Sequence, residues 1–348
     1  MIELMGQESK KPDVFAAVLE YLPERLRQSL NQLPLLWRGQ LSEIRLRSER
    51  PIQLNGNGQN YFLSTRCRPL FTPEMDSLRC SAEEINETFR RLCEYSVYSY
   101  QRQICSGYIT LRGGHRVGLC GTAIYKDGQC TGLRDISAIN LRIARTVPGA
   151  ADDLFRGMPQ LMHNGSILIA GAPNTGKTTM LRDFARQLSA GVRCEAQRVT
   201  VVDERGELAM MFHGVSQAGE DFLCDVLDAV PKAEGIRMAV RALSPQIIVC
   251  DEVSTEEEAS AILSGVHTGV RFALSVHASC RKELWRRPVI RRLLSSGAFD
   301  AVALLADGKP GQLAEIVQAG EYIAENDGAV ATFSNANDMR ISEIPAAV

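Results

Sequence analysis

The chain has 348 residues, 45 % of them hydrophobic and 23 % charged, which suits a globular protein of two domains that each bury a core. A net charge of −2 excludes a general electrostatic pull toward nucleic acid, so a polyanion site has to be local. No run approaches the roughly 20 apolar residues of a membrane span, and the opening MIELMGQESKKPD lacks a secretory core, so the expectation is a cytoplasmic chain without direct membrane insertion.

Residues 13–38 carry apolar positions at helical spacing, and EIRLRSERPIQL at 43–54 then alternates at period two, which predicts helix followed by strand. After a polar stretch at 56–79, Ser81 and Glu84 form a capping-box signature that starts an amphipathic helix running to about Tyr98. GYITLRGGHRVGLCGTAIY and INLRIAR are alternating β runs separated by glycines, as in hairpins. Residues 1–147 therefore read as an N-terminal α+β domain, the smaller of the two. The ten cysteines stand singly, with no C-x-x-C pair, and read as reduced, mostly buried thiols.

The segment VPGAADD marks the boundary, with a linker and helix over 148–164. From 165 to 324 the pattern becomes fully apolar strands alternating with helices: SILIAG, RVTVVDE, QIIVCDE, VRFALSV and AVALL. That is the pattern of an α/β domain whose mostly parallel sheet is covered by helices on both faces. Residues 325–348 read as a C-terminal tail.

Gly171, Ala172, Pro173, Asn174, Thr175, Gly176, Lys177 and Thr178, with Thr179 behind them, match the spacing of a phosphate cradle between an apolar strand and a helix. Glycines let amide hydrogens converge on phosphate, Lys177 reaches the β and γ phosphates of ATP, and the Thr178 hydroxyl holds Mg²⁺. Two later strands end in acid pairs, Asp203-Glu204 and Asp251-Glu252, both aimed at the carboxyl edge where ligands bind in such sheets. Asp251 is expected to hold the metal and Glu252 to activate water. P-loop enzymes that hydrolyse with a glutamate have an extra strand between the P-loop strand and the Walker B strand, and RVTVV is expected to be that strand. Asp203, as a second metal candidate, and Glu204 and Glu207, as further catalytic candidates, also read as solvated turn acids. His277 ends the strand VRFALSV, where a γ-phosphate sensor would lie; His267, Arg241 and Arg271 flank the same strands.

Taken in order, the Walker A loop, VVDERGEL, SPQIIVCDEVSTEEEASAI and GVHTGVRFALSVHA resemble the secretion ATPase superfamily, which implies an α/β P-loop NTPase fold, RecA/AAA-like, for the second domain. In that resemblance VVDERGEL corresponds to the Asp box and GVHTGVRFALSVHA to the His box, which brings Asp203, Glu204, Glu207 and His277 to the catalytic edge. The secretion enzymes commonly carry Gly-Glu where this chain has Asp251-Glu252, so which glutamate activates water stays open. A closer resemblance, over roughly residues 40–310, is to the stage III sporulation protein AA family; EIRLRSERPIQL, GLRDISAINLRIAR and DVLDAVPKAEGIRMAVRALSPQIIVCDE carry it beside the motifs above. It implies an ATPase peripheral to the mother-cell membrane around the forespore, associated with membrane proteins of the sporulation stage III assembly. It also implies a homo-oligomeric ring, expected as a hexamer, whose sites are completed by an arginine in trans. Arg112, Arg116, Arg142 and Arg145 are the candidates for that role, or else strand-edge charges. The alternatives are a nucleic-acid-dependent ATPase, disfavoured by 6 % aromatics and no stacking platform, and a slow nucleotide-dependent switch.

Overall fold

Prolines decide where the first helices begin. The computed structural model describes residues 14–192 and 194–324, so the tail expected at 325–348 lies outside the described residues. The helical stretch expected over 13–38 is three short helices, α1 (Val14–Leu19), α2 (Glu24–Asn31) and α3 (Leu35–Gln40). Pro23 and Pro34 stand at the N-caps of α2 and α3 with ψ of 153° and 144°, extended values that no continuous helix tolerates. The strand expected over 43–54 is likewise divided, into β1 (Leu41–Arg47), β2 (Arg50–Pro51) and β3 (Gln53–Gly56). Glu49, left-handed at φ 59°, makes the reversal.

β4 (Gln59–Leu63), β5 (Pro69–Leu70) and β6 (Arg79–Cys80) lead into α4 (Ala82–Leu92). Its capping box is complete: Glu84 N–H donates to Ser81 Oγ at 3.2 Å and Ser81 N–H donates to Glu84 Oε2 at 2.9 Å. The helix stops six residues before Tyr98 because Glu94 and Tyr95 both turn left-handed. α5 (Gln101–Cys105), β7 (Tyr108–Thr110), β8 (Arg116–Lys126) and β9 (Gln129–Arg142) complete an antiparallel seven-stranded sheet in the order β5-β4-β3-β1-β9-β8-β7. Its core gathers Phe15, Leu19 and Leu26 from the helices with Ile44, Leu54 and Leu141 from the strands. Of the described residues, this unit comprises 14–145 together with Met210–Gln217, an excursion from within the stretch the sequence assigns to the P-loop domain.

The second unit, 146–209 and 218–324 among the described residues, has its own core. In chain order it contains α6 (Asp152–Gly157), β10 (Ile167–Gly171), α7 (Lys177–Ala190), β11 (Val199–Asp203), β12 (Asp225–Asp228), α8 (Lys232–Ala242), β13 (Ile247–Cys250), α9 (Glu256–His267), β14 (Arg271–His277), α10 (Arg281–Arg286), α11 (Pro288–Ser295), β15 (Ala301–Leu305) and β16 (Leu313–Gln318). The sheet order is β12-β11-β13-β14-β10-β15-β16; all neighbours are parallel except β15 and β16. The five apolar runs of the sequence are β10, β11, β13, β14 and β15, buried because helices cover them. The strand between the P-loop strand and the Walker B strand is β14, not RVTVV, which is β11 and lies on the outer side of β13. The apolar character of both runs is the same, so only the pairing separates them. Four of the ten cysteines, Cys67, Cys80, Cys93 and Cys250, are buried, fewer than expected, and all ten are free. Cys120 and Cys280 are exposed. No helix among the described residues is long and apolar enough to cross a membrane.

Candidate phosphate-binding and catalytic site

The loop between β10 and α7 is shaped by its small residues. Gly176 caps α7 at φ 93°, and a Cβ there would meet Gly311 N at 2.7 Å, so the position excludes side chains on two grounds. Asn174 is also left-handed, at φ 65°. Thr175 is buried and closes the loop by donating its hydroxyl to Ala172 O at 2.9 Å, while Pro173 and Asn174 are exposed at its tip. Lys177, the first residue of α7, donates to Gly171 O at 3.0 Å and Ala172 O at 2.9 Å. Burial lowers its pKa, opposed by the charges of Asp251 and Glu252.

The insertion of β14 beside β10 sets Gly171 opposite His277, so the histidine stands next to the P-loop lysine. Lys177 Nζ lies 3.1 Å from His277 Nδ1, and His277 Nε2 lies 2.7 Å from Glu252 Oε1. An ammonium only donates, which makes Nδ1 the acceptor and puts the ring proton on Nε2, from where it is donated to Glu252. The other oxygen of Glu252 is paired with Arg205. Burial pushes the Glu252 pKa up, but the His277 hydrogen bond and the charges of Arg205 and Lys232 outweigh it and leave the carboxyl below its ordinary value. Glu252 itself is left-handed at φ 48°.

Thr178 donates its hydroxyl to Asp251 Oδ2 at 2.6 Å, and the buried Ser275 of β14 donates to Asp251 Oδ1. A hydroxyl and a carboxylate held together are the hard oxygen donors that Mg²⁺ takes beside phosphate and water, so the pair fits that ion. Among the described residues no group of three or more His, Cys, Asp and Glu could hold a metal by itself.

Both carboxylate oxygens of Asp203, considered for the metal, accept backbone N–H groups. Asp203 is buried, Oδ1 accepts from Glu207 N–H at 2.9 Å, and Oδ2 accepts from the N–H groups of Leu208 and Ala209 at 2.9 and 2.8 Å. These bonds make it the anchor of the loop after β11. Arg182 of α7 secures the same loop, donating to Leu208 O at 2.8 Å. Glu204 and Glu207 line a small cleft with Asp251, Glu252, Arg205 and Lys232. Of the N-terminal arginines, Arg145 donates to Arg38 O and Leu41 O at 2.7 and 2.9 Å, and Arg116 lies 4.0 Å over the Tyr108 ring. Arg112 and Arg142 are exposed. Sequence reasoning missed Lys232, Arg205, Arg182 and Ser275. Only the position of Lys232, a lysine at the unfavourable positive end of a helix, carried a signal.

A family description, "Sporulation stage III, protein AA", matches residues 13–322. The chain belongs to that family. Stage III sporulation protein AA of Bacillus subtilis strain 168 is 38 % identical over 303 residues, 86 % of this chain and 94 % of that protein. Among solved structures, the ATPase DotB of Legionella pneumophila superposes with a TM-score of 0.54 at 18 % identity, covering 92 % of this chain and 85 % of that one. The pilus retraction motor PilT with bound ADP gives 0.53 at 16 % identity, covering 90 % and 89 %. This member of the sporulation family thus has the P-loop fold of secretion ATPases with a smaller N-terminal domain, in agreement with the fold class read from its motifs.

Proposed function

We propose that the protein is an Mg²⁺-dependent ATPase, a ring-forming motor of the secretion type that acts at the cytoplasmic face of a membrane assembly during endospore formation. The observation that carries this reading is the hydrogen-bonded chain from Lys177 through His277 to Glu252 beside the Thr178–Asp251 pair. Lys177 and the backbone N–H groups of residues 171–178 other than Pro173 bind and orient the β and γ phosphates, and Thr178 and Asp251 would hold Mg²⁺. The ion neutralises charge between the phosphates when bound. Glu252 takes a proton from water as the water oxygen attacks the γ-phosphorus and the bond to the β-phosphate oxygen breaks, leaving ADP and phosphate. His277 orients that carboxylate and links it to the phosphate-binding lysine. The peripheral location at the mother-cell membrane around the forespore and the partnership with membrane proteins of the stage III assembly rest on family membership. Ring assembly, as a hexamer, rests on the kinship of fold with secretion motors. Arg112 and Arg142 are the better candidates for a trans arginine, since the Arg145 guanidinium is committed to local carbonyls.

The test is ATP hydrolysis as a function of protein concentration, with and without single-stranded DNA, beside Lys177→Ala. Specific activity that rises with concentration, ignores DNA and vanishes in the variant is the expected result. Activity found only with DNA points to a nucleic-acid motor, and nucleotide binding without Lys177-dependent turnover points to a switch. Glu252→Gln is expected to lower kcat about 100-fold or more with nucleotide binding retained, the range for loss of a general base.

A further inference from the structure

Lys232 opens α8, where an ammonium opposes the helix dipole, and its side chain is only 6 % exposed. Such a cation persists in a fold only where anionic and carbonyl oxygens compensate its lost hydration. Here four do. Its Nζ donates to Asp251 O at 3.0 Å and Glu252 O at 2.8 Å, and stands 3.5 Å from the Glu258 carboxylate and 3.6 Å from that of Glu204. The ammonium therefore joins the end of β11, the turn after β13 and the start of α9.

That turn is where Glu252 is left-handed, a conformation that disfavours side chains and holds only when its surroundings over-determine it. Two further contacts help: Glu252 N–H donates to Ser275 Oγ at 3.0 Å and Val253 N–H donates to Ser275 O at 3.0 Å. Glu258 extends the clamp, because its Oε2 accepts from the N–H groups of Ser254 and Thr255 at 2.8 and 3.0 Å in the capping box of α9. Lys232 holds both consecutive carbonyls of the turn, while Ser275 takes its amide hydrogens.

We propose that Lys232 is a positioning residue for hydrolysis: its ammonium holds the Asp251–Glu252 turn so that the Glu252 carboxylate faces His277 while Asp251 faces Thr178. The inference rests on the proposed ATPase reading and adds a residue to it. Glu204 stands against the same ammonium, 3.6 Å from it.

The experiment compares the full-length wild type with Lys232→Met, Lys232→Arg and Lys177→Ala, measuring kcat, KM, the Kd of a fluorescent ATP analogue and the melting temperature. Expected is at least a tenfold loss of kcat in Lys232→Met, with Kd within about threefold of wild type and recovery of much of the rate in Lys232→Arg. A kcat within twofold of wild type in Lys232→Met overturns the inference alone. So does a loss of rate that follows lost nucleotide affinity and a collapsed melting temperature, because a scaffold role would give that pattern. Should the methionine variant not fold, Lys232→Gln carries the same comparison. Wild-type protein without Lys177-dependent hydrolysis overturns the ATPase reading and this inference with it.

Discussion

Buried titratable groups are the residues at which this fold is most exposed to its conditions. His115 is buried, its Nδ1 accepts from Ala144 N–H at 3.0 Å, and burial with the nearby Arg145 charge pushes its pKa down to about 4. The neutral ring suits the fold, whereas the unfolded chain protonates near pH 6.5. The stabilisation is therefore complete above about pH 6.5 and is lost as pH falls toward 4, for about 3 kcal/mol in all. Urea melts at pH 7.5 and 4.5 should show that loss, and His115→Asn, which keeps an acceptor but does not titrate, should reduce it. The residue scale is also where sequence reading did best and worst. Lys177, Thr178, Asp251 and Glu252 could be named because the loop spacing and strand ends announce them. Ser275 could not, since a serine within an apolar strand gives no sign that it faces a carboxylate 24 positions earlier.

At the level of elements, caps and breakers account for where helices start and stop. The Ser81 capping box was legible and formed, but the early stop of α4 depends on two consecutive left-handed residues that no composition rule foretells. Ser81→Ala removes the acceptor for Glu84 N–H and is expected to cost about 1 kcal/mol, seen as a lower melting temperature of the N-terminal unit. Gly235 on α8 shows the same logic in packing: a Cβ there would meet a Val202 methyl at 2.5 Å. Gly235→Val should therefore separate α8 from β11 and disturb the Lys232 clamp, lowering turnover as well as stability, which paired kinetic and melting measurements would report.

For the whole molecule, two separate cores predict two calorimetric transitions, one for each unit. ATP with Mg²⁺ at about 100 times its Kd should stabilise the unit that carries the P-loop by about 2.7 kcal/mol. The shift should be absent in Lys177→Ala. Met210–Gln217 complicates a simple division at the linker, because a chain cut after Arg145 lacks the Met210 side chain that approaches Gly114 and the Gln217 amide oxygen that accepts from Gly113 N–H at 3.1 Å.

Local chemistry written along the chain was enough to reveal the phosphate loop, the acid-ended strands, the capping box and the P-loop fold class, because each is specified within a few consecutive residues or by a repeating apolar pattern. Strand order was decided only in three dimensions. The runs at 199–203 and 271–277 are equally apolar, and hydrogen-bond pairing across the sheet is what set β14, and with it His277 and Ser275, between the P-loop and the Walker B strand. The same holds for Lys232, whose compensation comes from oxygens on three other elements and is invisible until those elements meet.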